Sequence, residues 1–579
     1  MSMSPWRADM ATRKPAPTRQ DRDRLITAVL ENEPFLAVGE IENFGVKQRG
    51  YVNAPPDLRF LLMMAMEHAD KTAVVFDDQR WSYGELVSKS IAVANGLISR
   101  HGVTPGTRIA LAMRNCPEWM AGFLGIIAAG GVVVPLNGWW TSEEMAYGLR
   151  DCEAKMVIAG FRQAERIAPL KDELGLTLIS GRGDVPGVDD SLDAIMAEGA
   201  GKPAPELVID TDDDFAIFYT SGSTGNPKGA VLTHRGAVST VLSYAVVGAG
   251  LKLANKGEDF FGSDPAVLVC VPLFHCTGSH AVFMMSLLSG RKMVLMRKWD
   301  AGNAVDLIEA EQITNVVGVP TMSHELTLEA ERRGTKLESL MDMGSGGAKR
   351  PAAHVEKLNK AFPQAWSSSG YGLTETNAVG TYNGLDDYQE YPGSCGRALP
   401  GVTDIKTVKP DGSDTEPGEP GEVWIRSPCV FKGYLNLVEA TKEVLTEDRW
   451  FKTGDVGIIN EEGFLTIVDR IKDMIIRGGE NISCLEVEGA LARHEDIIEA
   501  AVIGIPDERL GERVGAAILF KDGVSLSDDQ VTSFLKTHLA SFKCPDHYWH
   551  LNMPLPRGGT GKVDKPTLRK TLLKTGESV

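Results

Sequence analysis

The stretch Tyr219-Thr-Ser-Gly-Ser-Thr-Gly-Asn-Pro-Lys-Gly229 constrains this chain most, because the apolar run Phe215 to Thr220 reads as a buried strand that feeds straight into it. Gly222, Gly225 and Gly229 can turn backbone N–H groups toward an anion with no Cβ in the way. Thr220, Ser221, Ser223 and Thr224 add hydroxyl donors, and Lys228 adds a mobile positive charge. A Walker loop would run Gly-Lys-Ser/Thr directly into a helix, whereas Lys228 stands between Pro227 and Gly229. An ordinary surface turn rarely needs so many glycines and hydroxyls beside a lysine. The loop therefore reads as a triphosphate site.

At 579 residues the chain exceeds what one core can organise, so two or more domains are expected. Its net charge of −18 argues against a general nucleic-acid or anionic-membrane binder, since either needs a broad cationic surface. Eight cysteines show no C-x-x-C pair or metal spacing, which fits reduced thiols in cytoplasm. The first thirty residues mix arginines and aspartates without an apolar core, so no secretory signal is visible. Trp119 to Leu136 is uncharged and near spanning length. Pro135 and the glycines, above all Gly130-Gly131, instead divide it into a buried helix and a strand, Val132 to Val134, and no integral membrane segment is expected.

From Thr72 to Val317, β-rich runs such as Thr72 to Phe76, Arg108 to Met113 and Ala266 to Val271 alternate with helical periods, the pattern of parallel sheets covered by helices. Turn residues crowd at Lys409-Pro-Asp-Gly412 and Glu416-Pro-Gly-Glu-Pro-Gly421, between strands of a small antiparallel unit. A boundary falls near Asp469 to Asp473. Beyond it come a hairpin, 473–477 and 480–482 turned by Gly478-Gly479, and a helix opened by a capping box of Ser483 and Glu486. The last hundred residues form a compact α+β unit.

The loop, together with Tyr371-Gly-Leu-Thr-Glu-Thr376, Thr453-Gly-Asp455, Asp469-Arg-Ile-Lys-Asp473 and Gly559-Thr-Gly-Lys562, resembles the adenylate-forming (AMP-binding) enzyme superfamily, in its acyl- and aryl-CoA synthetase branch. The resemblance implies an α/β fold: an N-terminal arm (1–50), a large AMP-binding domain (51–469) of two helix-flanked β-sheet subdomains plus a small β-barrel-like one, a hinge (470–472), and a small mobile α+β domain (473–579). It also implies roles. Thr220, Ser221, Gly222, Ser223, Thr224, Gly225 and Lys228 would hold the ATP phosphates, with Ser345, Gly346, Gly347, Tyr371 and Gly372 near adenine and the acyl group. Thr374 would reach the α-phosphate, Glu375 would bind Mg²⁺, and Asp455 would accept from the ribose hydroxyls with Arg470 assisting. Lys562 is the implied adenylation lysine and Lys472 the pivot. Arg477, Gly478 and Gly479 would meet CoA, beside Arg470 and Lys472. Cys484 departs from the family, which has proline before that helix; a packed cysteine is expected there.

By the same resemblance Phe274, His275, Val319, Gly346, Ala378 and Val379 border the acyl pocket, with His275 as a gate or a structural histidine. These are mostly small or apolar, which favours a hydrophobic fatty or aryl-alkanoic acid. Phe274-His275-Cys276 offers no aspartate for a substrate amine, which argues against an amino acid. ATP, Mg²⁺ and CoA are the implied cofactors, and a homodimer is allowed. An acyl-AMP ligase loading a carrier protein is the second reading, ahead of a luciferase-like oxidation and of a non-catalytic nucleotide sensor, which would have no use for Lys562.

Overall fold

A computed structural model describes residues 13–183, 185–220, 227–559 and 561–575. Ser221, Gly222, Ser223, Thr224 and Gly225, expected in the phosphate loop, lie outside the described residues. Two large mixed sheets carry the N-terminal domain, one of eight strands and one of nine. Their middles are parallel: Arg108–Ala112 lies between Val132–Pro135 and Met156–Ala159 in one, and Asn315–Gly318, Asp342–Ser345 and Trp366–Gly372 are neighbours in the other. Such strands are covered on both faces, which is why Val132–Pro135 and Ala266–Val269 are wholly buried.

The uncharged run resolves into helix Pro117–Ala128 and strand Val132–Pro135 inside the core. Among the described residues one helix, His234–Ala254, is long and apolar enough to cross a membrane by composition. Here its buried side packs into the main core through Val238, Val241 and Val246.

The small antiparallel unit is a four-stranded sheet, Asp404–Val408, Pro420–Arg426, Phe451–Ile459 and Leu465–Arg470. The first turn cluster falls in its first connection, and the second runs from that connection into Pro420 and Gly421 of the next strand. In the C-terminal unit, Ile475–Arg477 and Glu480–Ile482 form the expected hairpin. Gly478 and Gly479 have φ of 60° and 92°, a conformation that glycine adopts without a steric penalty. Ser483 caps helix Cys484–Leu491 by accepting from Glu486 N–H, but the return bond of a full box is replaced: Glu486 pairs with Lys543 at 2.8 Å. Cys484 is buried with its thiol on Asp473 O at 3.1 Å, and burial pushes its pKa up to about 12.

The arm is docked. Helix Arg19–Asn32 is fastened by Arg22 to Asp387 at 2.7 Å, by Arg19 to Asp387 at 2.6 Å and by Asp23 to Arg397 at 2.7 Å. Beneath it lies a cavity of about 510 Å³ walled by Ile26, Leu30, Leu251, Tyr382 and Leu385, away from the expected nucleotide residues.

Candidate active site

Adjacent parallel strands end together, so residues just past their carboxyl ends meet in one crevice. Gly318 stands opposite Ser345 and Ser345 opposite Ser369, which gathers Val319, Gly346-Gly347 and Tyr371 along one edge. Ser345 Oγ is buried without a hydrogen-bond partner, a donor left over for a ligand.

Thr220 and Lys228 face each other across the antiparallel pair Asp214–Thr220 and Lys228–Thr233, so Lys228 opens a strand and not a helix. Lys228 Nζ lies 4.9 Å from the Tyr434 ring centroid, and Tyr434 donates its hydroxyl to Glu375 Oε1 at 2.7 Å. Tyr434 was not foreseen. It sits on a two-residue edge strand, Gly433–Tyr434, beside Lys228–Thr233, and no spacing rule connects it to Glu375. Burial raises the Glu375 pKa, with Tyr434 and Arg470 acting against it.

Glu375 lies in the short turn Thr374–Thr376, and the next two residues, Asn377 and Ala378, have φ of 52° and 65°. Asparagine tolerates that region; alanine is strained there by about 1 kcal/mol. Asn377 holds the bend by donating to Cys429 O at 2.7 Å and pairing with His280 Nε2 at 3.0 Å. Val379 is fully buried against Leu399, Cys429, Tyr244 and Val247, one layer behind Ala378.

Tyr371 donates its hydroxyl to Asp455 Oδ2 at 2.7 Å, and Arg470 Nε stands 3.3 Å from Asp455 Oδ1. Arg470 lies opposite Asp455 in the small sheet, so the register delivers that pair. Burial raises the Asp455 pKa, opposed by Arg470, Tyr371 and Lys562.

Lys562 arrives from the C-terminal domain. Its loop is a tight turn in which Gly558 N–H donates to Lys562 O at 2.9 Å and Gly561 takes φ of 79°. Arg557 holds Gly561 O at 2.9 Å and is itself paired to Glu499 on the strand Ile497–Asp507. The loop rests on the large domain: a Cβ at Gly561 would stand 3.5 Å from Val319, and one at Gly559 2.8 Å from Asn137 Nδ2. Lys562 keeps surface in water, yet protein atoms crowd its ammonium. That enclosure lowers its pKa to about 8; Arg470 pushes the same way, while Asp455 and Glu375 oppose.

His275 has its Nε2 buried without a partner, and its pKa is lowered to about 3 by burial and then by Lys562, so the imidazole is neutral. Phe274 packs on it at 4.7 Å and Trp139 on Phe274 at 5.4 Å.

The expected CoA group is not gathered with these residues. Arg477 pairs with Asp546 at 2.9 Å and donates to Phe542 O, inside the small domain. Lys472 is exposed, in a turn where Asp473 N–H donates to Arg470 O at 3.0 Å. No group of three or more His, Cys, Asp or Glu side chains that could hold a metal occurs among the described residues. Glu375 fits magnesium as the single carboxylate of a shell completed by phosphate oxygens and water.

A cleft that gathers Lys228, Tyr371, Glu375 and Asp455 with a lysine from the C-terminal unit is the arrangement expected of an adenylate-forming enzyme. Comparison with known proteins agrees. The AMP-binding enzyme family matches residues 63–435, and the AMP-binding enzyme C-terminal domain matches residues 486–562. A feruloyl-CoA synthase of Amycolatopsis sp is 35% identical over 503 residues, covering 86% of this chain and 95% of its own. A long-chain-fatty-acid–CoA ligase of Bacillus subtilis (strain 168) is 31% identical, covering 88% and 92%. The crystal structure of ATP-bound MatB from Rhodopseudomonas palustris superposes with a TM-score of 0.77 at 30% identity, covering 90% of this chain and all of that one. The chain belongs to the AMP-binding enzyme family, in its CoA synthetase branch, and is an AMP-forming acid–thiol ligase.

Proposed function

We propose that this enzyme uses MgATP to adenylate a hydrophobic carboxylic acid, fatty or aryl-alkanoic, and passes the acyl group to CoA. In the first step a carboxylate oxygen attacks the α-phosphorus, an acyl–phosphate bond forms, and the bond to pyrophosphate breaks. Charge grows on the α-phosphate oxygens and on the departing pyrophosphate, so oriented donors and cations do the stabilising. We assign that stabilisation to Lys562, Thr374 and Lys228, and magnesium on Glu375 would neutralise phosphate charge. In the second step the thiol sulfur attacks the acyl carbon, the anhydride bond breaks, AMP leaves, and the thiol proton passes to solvent.

The observation that carries this reading is Lys562 reaching from the small domain to Gly347, beside Asp455 and Glu375. Boundaries at 469 and 473, with Lys472 as the pivot, follow from it: one site cannot hold both the lysine and an incoming thiol arm, so the small domain would turn between steps. The apolar series Trp139, Phe274, Val319 and Ala378 supports a hydrophobic acid. A cytoplasmic setting without a nucleic-acid partner fits the net charge of −18 and the unpaired cysteines.

A panel of carboxylic acids with ATP, Mg²⁺ and CoA, reading pyrophosphate and free thiol together, tests the reading. Equal release of pyrophosphate and loss of thiol with a hydrophobic acid is expected. Pyrophosphate without thiol loss for any acid would point to a carrier-protein acceptor.

A further inference from the structure

Residues 431–435 form a short crosspiece between two parts of the site that are far apart in sequence. On one side, Lys432 N–H donates to Val231 O at 2.9 Å and Leu435 N–H to Gly229 O at 2.7 Å, which pins the segment to the strand that Lys228 opens. On the other, Phe431 N–H donates to Glu375 O at 2.7 Å, in the turn that carries the expected metal carboxylate. The crosspiece is itself held. Arg449 Nη2 donates to Phe431 O at 2.7 Å, and Tyr434 N–H donates to Thr441 Oγ1 at 2.9 Å. Leu435 is buried, and the Phe431 ring meets both Tyr434 and Phe451 edge-on, so close packing leaves Tyr434 little room to swing.

Tyr434 touches two opposite charges at once. Its hydroxyl donates to Glu375 Oε1 at 2.7 Å, and its ring lies against the Lys228 ammonium, with 4.9 Å from centroid to Nζ. A lysine and a glutamate that share one neighbour are within reach of each other. A direct pair between them would occupy both the cation meant for phosphate and the acceptor meant for a metal. A phenol keeps them apart with no charge of its own, giving the carboxylate a donor and the ammonium a π face. Phenylalanine would supply only the face, and serine only the donor. By taking Oε1 the hydroxyl also fixes the carboxylate against rotation and leaves Oε2 for a cation.

We propose that Tyr434 is a positioning residue for MgATP, its hydroxyl presenting the Glu375 carboxylate to the metal and its ring holding the Lys228 ammonium ready for the phosphates. This rests on the reading that Glu375 carries magnesium. It gives the two-residue edge strand Gly433–Tyr434 a task, which is to set the spacing between a metal ligand and a phosphate cation before the nucleotide arrives.

The test reads metal binding apart from catalysis. The full-length protein is titrated with α,β-methylene-ATP, which cannot be cleaved at the reacting bond, once with excess Mg²⁺ and once with EDTA. The ratio of the two Kd values measures how strongly metal and nucleotide support each other. Tyr434→Phe keeps the ring and loses the donor, so this ratio should fall about tenfold, while the Kd in EDTA stays within about twofold of wild type. Tyr434→Leu loses the ring as well, and its Kd in EDTA should rise about threefold or more. On a Glu375→Gln background Tyr434→Phe should change the ratio little, because the hydroxyl acts through that carboxylate. A role in folding alone would weaken both titrations together and lower Tm, without this dependence on Mg²⁺ and Glu375. A wild-type ratio in Tyr434→Phe would overturn the inference, and so would its full penalty on the Glu375→Gln background. Equal ratios in wild type and Glu375→Gln would overturn the metal reading of Glu375, and the inference with it.

Discussion

Gly347 and Lys562 approach so closely that a Cβ on the glycine would stand 2.9 Å from Lys562 Cε, although the two residues belong to different domains. Gly347 has φ of 76°. Replacing it with alanine therefore strains the backbone by about 1 kcal/mol and pushes the lysine aside. Gly347→Ala should lower adenylate formation about 10- to 100-fold, with a shift in Tm of only a few degrees. Pyrophosphate exchange and a thermal melt measure the two effects separately.

Lys562→Ala should cost about 10² to 10³ in adenylation, the effect of losing one oriented charge. The ammonium form exists below its pKa of about 8, so kcat/KM for adenylation should fall as pH rises through that value. Lys562→Arg, always protonated, should remove this alkaline fall even where its rate is low. A pH profile from 7 to 10 that is the same for both proteins would remove Lys562 from the chemistry.

Arg557 is predicted to act through its neighbour, because it holds the Gly561 carbonyl while Glu499 holds Arg557. Arg557→Ala should depress pyrophosphate exchange about tenfold or more, yet leave the transfer of a supplied acyl-adenylate to CoA near normal. Equal loss in both half-reactions would mark a merely structural role.

Tyr371→Phe removes the donor to Asp455 Oδ2 and leaves a buried carboxylate with one partner fewer. The KM for ATP should rise about tenfold, since a hydrogen bond to a charged group is worth about 1.5 to 3 kcal/mol. The KM for the acid should change little; steady-state kinetics with each substrate varied would show it.

Lys472→Pro should retain adenylation and lose thioester formation, because its exposed turn must change backbone angles for the small domain to rotate. Half-reaction assays decide the point, and parallel loss of both steps would relocate the pivot.

Much of this site was legible because its chemistry comes in short runs. Tyr371 and Glu375 share one motif; Asp455, Arg470 and Lys562 each stand in another, and local spacing suffices to find them. Tyr434 was not legible, since it meets Glu375 only through the order of strands at a sheet edge. Arg557 and Glu499 pair across 58 residues. The capping box at Ser483 was half right, because Lys543, distant in sequence, outbids the helix's own backbone for Glu486. Arg477 pairs with Asp546, 69 residues away, a contact that no local spacing announces.

Helix Arg19–Asn32 grips Asp386, Asp387 and Glu390, just past the far end of the hairpin whose near end carries Tyr371 and Ala378, and Arg397 on the strand beside it. A shortened protein beginning at residue 63, where the family likeness starts, would keep every reacting group. It would also remove the roof of the neighbouring apolar chamber and leave Asp386, Asp387, Glu390 and Arg397 without their helix partners. Truncation should thus loosen the floor under the nucleotide, and a gene trimmed to the recognisable family region would yield a weaker catalyst than its intact parent.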